Sequence, residues 1–238
     1  MLPLITVIIL TLLAGLAMPL GAFLASRKFI KSRILQSEFQ HFIVAFGGGA
    51  LLSAVSLVLV PEGSRSLSLP STALWFSLGA LLFMGLDILQ QKVKTSASQL
   101  LAMLSDFVPE SLALGATFTI NQELALLLAA MIAMQNIPEG FNAFTELKKT
   151  SAYSATKIII LFSLFSLLGP LSAVAGYLWL VEDPELLSII MIFASGGILY
   201  VVFQDIAPQV RLKNHYFPPM GAVCGFLLGI LGYMLTTL

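Results

Sequence analysis

Eight long apolar runs limit what this chain can fold into. They cover roughly residues 3–26, 39–60, 71–91, 98–119, 123–144, 154–180, 186–206 and 217–238. A bilayer core needs about 20 predominantly apolar residues to be crossed by a helix, and each run is near that length. Composition agrees: 58% of the 238 residues are hydrophobic and 10% are charged, against about one quarter charged in soluble domains. A soluble fold of this size could not hide so much apolar surface. The sequence predicts an all-α polytopic membrane protein with eight transmembrane helices, a single transmembrane domain over residues 1–238, and the lipid bilayer as its first partner. Net charge is zero, so nothing points to nucleic acid. The one cysteine, Cys224, cannot form an intrachain disulfide. The Leu2–Leu24 run lacks a preceding positive charge and is too long for a signal-peptide core; it reads as the first span.

The basic residues set an orientation. Arg27, Lys28, Lys31 and Arg33 lie between spans 1 and 2, and Lys92 and Lys94 between spans 3 and 4. Lys148, Lys149 and Lys157 lie between spans 5 and 6, and Arg211 and Lys213 between spans 7 and 8. Of the 12 Lys and Arg residues, Arg65 alone falls on the other side. Because cytoplasmic loops carry the excess of Lys and Arg, both termini are expected outside. The alternation also supports the count of eight, since a missed span would scramble it. The outer side carries Glu62, Glu123, Glu182, Asp183 and Glu185. They read either as ordinary polar loop residues or as an acidic mouth that concentrates cations.

Carboxylates within spans are costly and mark pathways or partners. Asp87, Asp106, Glu110 and Glu139 sit deep, and no Lys or Arg lies within a central span to pair with them. Asp106 and Glu110 are one helical turn apart on the fourth span; Gln135 and Glu139 repeat that spacing on the fifth. Turned together, the two faces place three carboxylates and an amide oxygen around one point, a donor set suited to Mg, Mn or Fe(II). Pro109 and Pro138 directly precede the two glutamates and withdraw a backbone donor from Ser105 and Met134. Freed carbonyls of this kind are tolerated at membrane depth where they line an ion site. The alternative is a set of protonated carboxyls bonded within the bundle. Pro61–Glu62 reads as a helix end, and Asp87 as reaching an interface or Lys92. The runs at 47–49 and 196–197 read as glycine packing surfaces. Met131 and Met134 read as packing, and His41 and His215 as interfacial residues.

Helix 5 carries Gln135-Asn136-Ile137-Pro138-Glu139-Gly140, helix 4 carries Asp106-Phe107-Val108-Pro109-Glu110-Ser111, and helix 7 carries Gly196-Gly197-Ile198-Leu199-Tyr200 followed by Asp205 and Pro208. With eight spans and both termini outside, these segments resemble the ZIP family of divalent metal transporters. The resemblance implies a non-enzymatic protein that moves a divalent metal ion (Mn, Fe(II), Zn or Mg) as its transported substrate toward the cytoplasm; the compact loops suit a prokaryotic inner membrane. It implies metal ligands at Asp106, Glu110, Gln135, Asn136 and Glu139, and a homodimer. It also implies a second adjacent metal, but Phe107 stands where that site needs a polar residue and Gly169 where it needs a glutamate; only Asn136 remains. One oxygen-rich site is therefore expected. Without His or Cys at its core, preference should move from zinc toward harder ions. The rival readings are a ZIP-like fold that carries another solute, or a metal-binding membrane protein that transports nothing. His-Glu-x-x-His is absent, which argues against a metalloprotease.

Overall fold

In lipid every backbone N–H and C=O must find its partner within the protein, so apolar runs of this length become helices. A computed structural model describes residues 2–27, 33–93, 98–211 and 215–237. Lys28, Lys31, Lys94 and Lys213 of the orientation pattern lie outside the described residues. Among the described residues there are eight helical columns and no strand. They are α1 (Leu2–Ser26), α2 (33–63), α3 (Leu69–Val93), α4 (Ser98–Ile120), α5 (Gln122–Thr150), α6 (Ala155–Trp179), α7 (Pro184–Val210) and α8 (Met220–Thr237). Six of these, α1, α2, α3, α5, α6 and α7, are long and apolar enough to cross a membrane, and α8 is a shorter apolar helix. The carboxylate-bearing α4 runs for 23 residues. The chain is an all-α polytopic membrane protein.

Local signals set the ends. Asn121 caps α5 by accepting from the Leu124 N–H at 3.0 Å, and Asp183 caps α7 by accepting from the Leu186 N–H at 3.0 Å. Lys148 and Lys149 close α5, where positive charge suits the helix C-terminus. The helix of α5 continues past the expected boundary at 144, because these polar residues extend beyond the apolar run without breaking hydrogen bonding. Column α2 continues through Pro61 to Gly63 by inserting a π-helical turn, Val55–Leu59. Column α7 does the same at Val202–Ile206, ahead of Pro208. Column α6 is interrupted at Ser166 and Leu167, just before Pro170.

Four helix pairs dominate the packing: α1 with α5, α2 with α8, α3 with α7 and α4 with α6. Each rests on glycine set directly against a carbonyl of the partner. Gly21 meets Ile137 O while Gly140 meets Met18 O; Gly115 meets Ala173 O while Gly176 meets Leu112 O. Gly79 meets Phe193 O while Gly196 meets Phe76 O; Gly49 meets Ala222 O while Gly225 meets Phe46 O. Lipid gives no hydrophobic reason for helices to associate, so close backbone approach and van der Waals contact hold them. Exchanging α1 with α6, α2 with α7, α3 with α8 and α4 with α5 maps this set of pairs onto itself. The π turns of α2 and α7 obey the same exchange, as does the Pro-Glu pair on α4 and α5. The bundle therefore carries an internal repeat of the kind that many transporters show.

Replacing Gly49 with Val forces a branched side chain onto the Ala222 carbonyl, an overpacking expected to cost about 1–3 kcal/mol or more. Gly85 has nothing within 4 Å of its would-be Cβ, and Gly85→Ala is expected to be neutral or to stabilise by up to about 1 kcal/mol through helix propensity. Thermal-unfolding midpoints in detergent separate the two; equal midpoints for both variants contradict the packing account.

Candidate metal centre

The fourth and fifth columns lie side by side in the middle of the bundle, and α5 also contacts α1 and α2. Pro109 and Pro138 both sit inside uninterrupted α-helix. The irregular turns fall in α2, α6 and α7. Proline still leaves Ser105 O and Met134 O without their usual donors. Gly47 explains how Pro138 is accommodated, since a Cβ there would come within 2.8 Å of the proline ring.

Asp106 is 2% exposed, and Glu110, Gln135 and Asn136 are 0% exposed. Glu139 is half-buried, yet both its carboxylate oxygens are shielded from solvent. The Glu139 charge interacts with those of Asp106 and Glu110, and Asp106 interacts with Glu110 and with Asp205 of α7. The structure thus brings together the predicted carboxylates of both helices.

Hydrogen bonding fixes the orientation of the two amides. Gln135 donates through Nε2 to Glu110 Oε2 at 2.5 Å. Asn136 donates through Nδ2 to the Ala14 carbonyl of α1 at 2.9 Å. Each amide has a donor end and an acceptor end, and with the donors engaged both leave an oxygen free. Among the described residues, seven buried side-chain oxygens have no hydrogen-bond partner: Asp106 Oδ1, Glu110 Oε1, Ser111 Oγ, Gln135 Oε1, Asn136 Oδ1 and both oxygens of Glu139. Native proteins leave few buried polar atoms unmatched, and all of these lie on α4 and α5. Acceptors without donors are what a cation satisfies. Among the described residues, no three His, Cys, Asp or Glu side chains form a ready metal sphere. The Gln135 donor sits on Glu110 Oε2, which leaves Oε1 of each residue free.

Ser111 Oγ is a buried, unpartnered oxygen beside these residues that sequence reasoning missed. Mid-helix serines usually bond a carbonyl of their own helix, as Ser195 does to Met191 O at 2.7 Å; only three-dimensional packing reveals that Ser111 does not. Asp87 accepts from the Tyr200 hydroxyl of α7 at 3.1 Å, a partner 113 residues further along the chain that no local pattern marks. His41 bonds through Nδ1 to Ser37 O, and His215 pairs with Glu38 at 2.5 Å. Met131 is fully buried and Met134 is packed against the core; both serve packing.

Phe107 is 1% exposed and points between α1 and α6. Its ring ends 2.5 Å from where a Gly169 Cβ would stand and 2.9 Å from that of Gly15. The ring and a side chain at 169 exclude each other.

Two cavities flank the carboxylates at opposite ends of α2, α5 and α7. One, of about 270 Å³, is lined by Glu62, Arg65, Thr117, Asn121, Ser188 and Met191 among others. The other, of about 300 Å³, is lined by His41, Asn142, Thr145, Lys149, Gln209 and Arg211 among others. Asn142 is one helical turn from Glu139, whereas the fully buried Leu114, Leu128 and Met131 stand toward the Glu62 end.

Apolar helices enclosing a buried polar centre make this an integral, multi-pass membrane protein. The family model described as "ZIP Zinc transporter" matches residues 92–237, and the chain belongs to that family of metal transporters. No curated protein matches the chain. ZIP proteins are transporters of divalent metals such as zinc, and not enzymes.

Replacing Gln135 with Leu leaves Glu110 buried without a donor and is expected to cost about 1–3 kcal/mol. Adding Glu110→Leu should recover part of that loss. Thermal unfolding in detergent checks it; a single variant as stable as the parent contradicts the role given to this bond.

Proposed function

We propose that this chain carries a divalent cation across the membrane toward the cytoplasm through one oxygen-rich site between α4 and α5. Asp106, Glu110, Gln135, Asn136 and Glu139 replace its hydration shell. The observation that carries this reading is the cluster of buried, unpartnered oxygens on those two helices. All eight columns cross the bilayer in this reading and form one transport domain, with the Glu62 end outside and the Lys149 end in the cytoplasm. The ion arrives through the outer cavity and leaves through the inner one. Binding has to be weak enough to permit release. Rocking of the group α1, α4, α5 and α6 against α2, α3, α7 and α8 would alternate access; the pairwise packing supports that division.

The site holds one ion in this reading, because the Phe107 ring fills the space toward Gly169. Its donors are carboxylate and amide oxygens, so Mn, Fe(II) and Mg compete better with Zn than at an imidazole site.

Uptake of metal into proteoliposomes tests the assignment. Glu139→Ala is expected to reduce uptake by about tenfold or more, the scale on which even outer-shell losses act at metal sites. Glu123→Ala, on the exposed first turn of α5, should leave it unchanged. Equal uptake by the parent and Glu139→Ala ends the assignment of this site.

A further inference from the structure

The cavity at the Glu62 end has a polar arrangement of its own, which the central site does not use. It lies in register with that site: Thr117 is about two turns beyond Glu110 on α4, Asn121 follows at the junction with α5, and Leu124 is about three turns before Gln135 on α5. Fully buried Leu114, Leu128 and Met131 lie on the same two helices between the levels. The two are separate polar levels of one path.

At the upper level Glu62 is held in place. A Cβ on the adjacent Gly63 would come within 2.9 Å of both Met191 and Ile192 of α7, so the end of α2 is pressed against its neighbour. The Arg65 guanidinium lies 2.7 Å from the Glu62 carboxylate; the Arg65 side chain is 72% exposed and that of Glu62 21%. The carboxylate is anchored and the arginine reaches it from solvent. Exposed pairs of this kind are weak, and a dication attracts a carboxylate more strongly than a monovalent guanidinium at equal distance.

The internal repeat adds an independent observation. The π turn of α2 ends two residues before Pro61, and that of α7 ends two residues before Pro208. Gly49 and Gly196, each set on a partner carbonyl, stand at matching positions in the same register. Glu62 therefore corresponds to Gln209, which lines the opposite cavity and donates through Nε2 to Asp205 O at 2.6 Å. The repeat places a carboxylate at one mouth and a neutral amide at the other. The amide mouth also presents Lys149 and Arg211. One end is built to capture a cation and the other to let it go.

We propose that the cavity beside Glu62 is an intake station for the divalent cation, with Glu62 as its anionic ligand and Arg65 as a built-in competitor that the arriving ion displaces. Ser66 and Ser188 supply neutral oxygens around it. This inference rests on the transport reading above for the direction of travel. It makes Glu62 a ligand as well as a helix end.

Mn²⁺ is the probe, bound to full-length protein in nanodiscs and followed by the loss of its free EPR signal, alongside Mn²⁺ uptake into proteoliposomes. Arg65→Gln is expected to tighten one class of bound Mn²⁺ by about threefold or more and to lower the KM for uptake by a similar factor with kcat unchanged, while in a Glu62→Gln background the same change does nothing. Arg65→Lys should stay near the parent. An unchanged Mn²⁺ titration and KM in Arg65→Gln overturns the station, as does an equal effect with and without Glu62. If the parent takes up no Mn²⁺ while the Glu62-dependent tightening persists, the transport reading fails and the station stands. If uptake proceeds and both substitutions are silent, the station fails and the transport reading stands.

Discussion

Asp106, Glu110 and Glu139 are held inside a bundle whose outer faces meet lipid, where a charged side chain such as Asp costs about 2.5–3.5 kcal/mol even on insertion-based scales. The ion pairs of Arg65 with Glu62 and of His215 with Glu38 do not reach these three carboxylates. Gln135 satisfies one oxygen of Glu110, and the remaining unpartnered oxygens stay inward. Two amides hold their donors on Glu110 and on Ala14 O. That leaves an acceptor-rich centre in a setting with little water to satisfy it, and a cation supplies what the protein withholds.

Keeping such a centre requires the surrounding helices to stay close without strong attraction between their apolar faces. Glycine against carbonyl, repeated in four helix pairs, provides the contact. The α1–α5 pair shows the link to function: Gly21 and Gly140 bring α1 near enough for Ala14 O to accept from Asn136. A side chain at either glycine would push away the helix that orients a site amide. On the opposite flank, Phe107 relies on Gly15 and Gly169 for room, so the same small residues that close the bundle also limit the centre to one cation in the proposed reading.

Much of this was legible in the sequence. Apolar run length located all eight columns, because lipid imposes a length that short sequence windows reveal. The one-turn spacing of Asp106 with Glu110 and of Gln135 with Glu139 marked the two faces that the fold brings together. What stayed hidden was set by contacts between columns. Ser111 looks like any other helix serine until its hydroxyl is seen to lack a partner. Asp87 could not be matched with Tyr200, whose column lies far along the chain. Pro61 reads as a helix end, since a π turn that absorbs a proline has no local signature. The helical reach of α5 to Thr150 was missed because polarity was taken as a stop, although helix hydrogen bonding does not depend on it.

The most direct test of the central claim is anomalous scattering from crystals soaked in Mn²⁺, recorded at the manganese edge. The account predicts one peak between α4 and α5, coordinated by oxygens of Glu110, Glu139 and Gln135, and no second peak beside Phe107. Two adjacent peaks there, or full occupancy elsewhere with none between these helices, would contradict it.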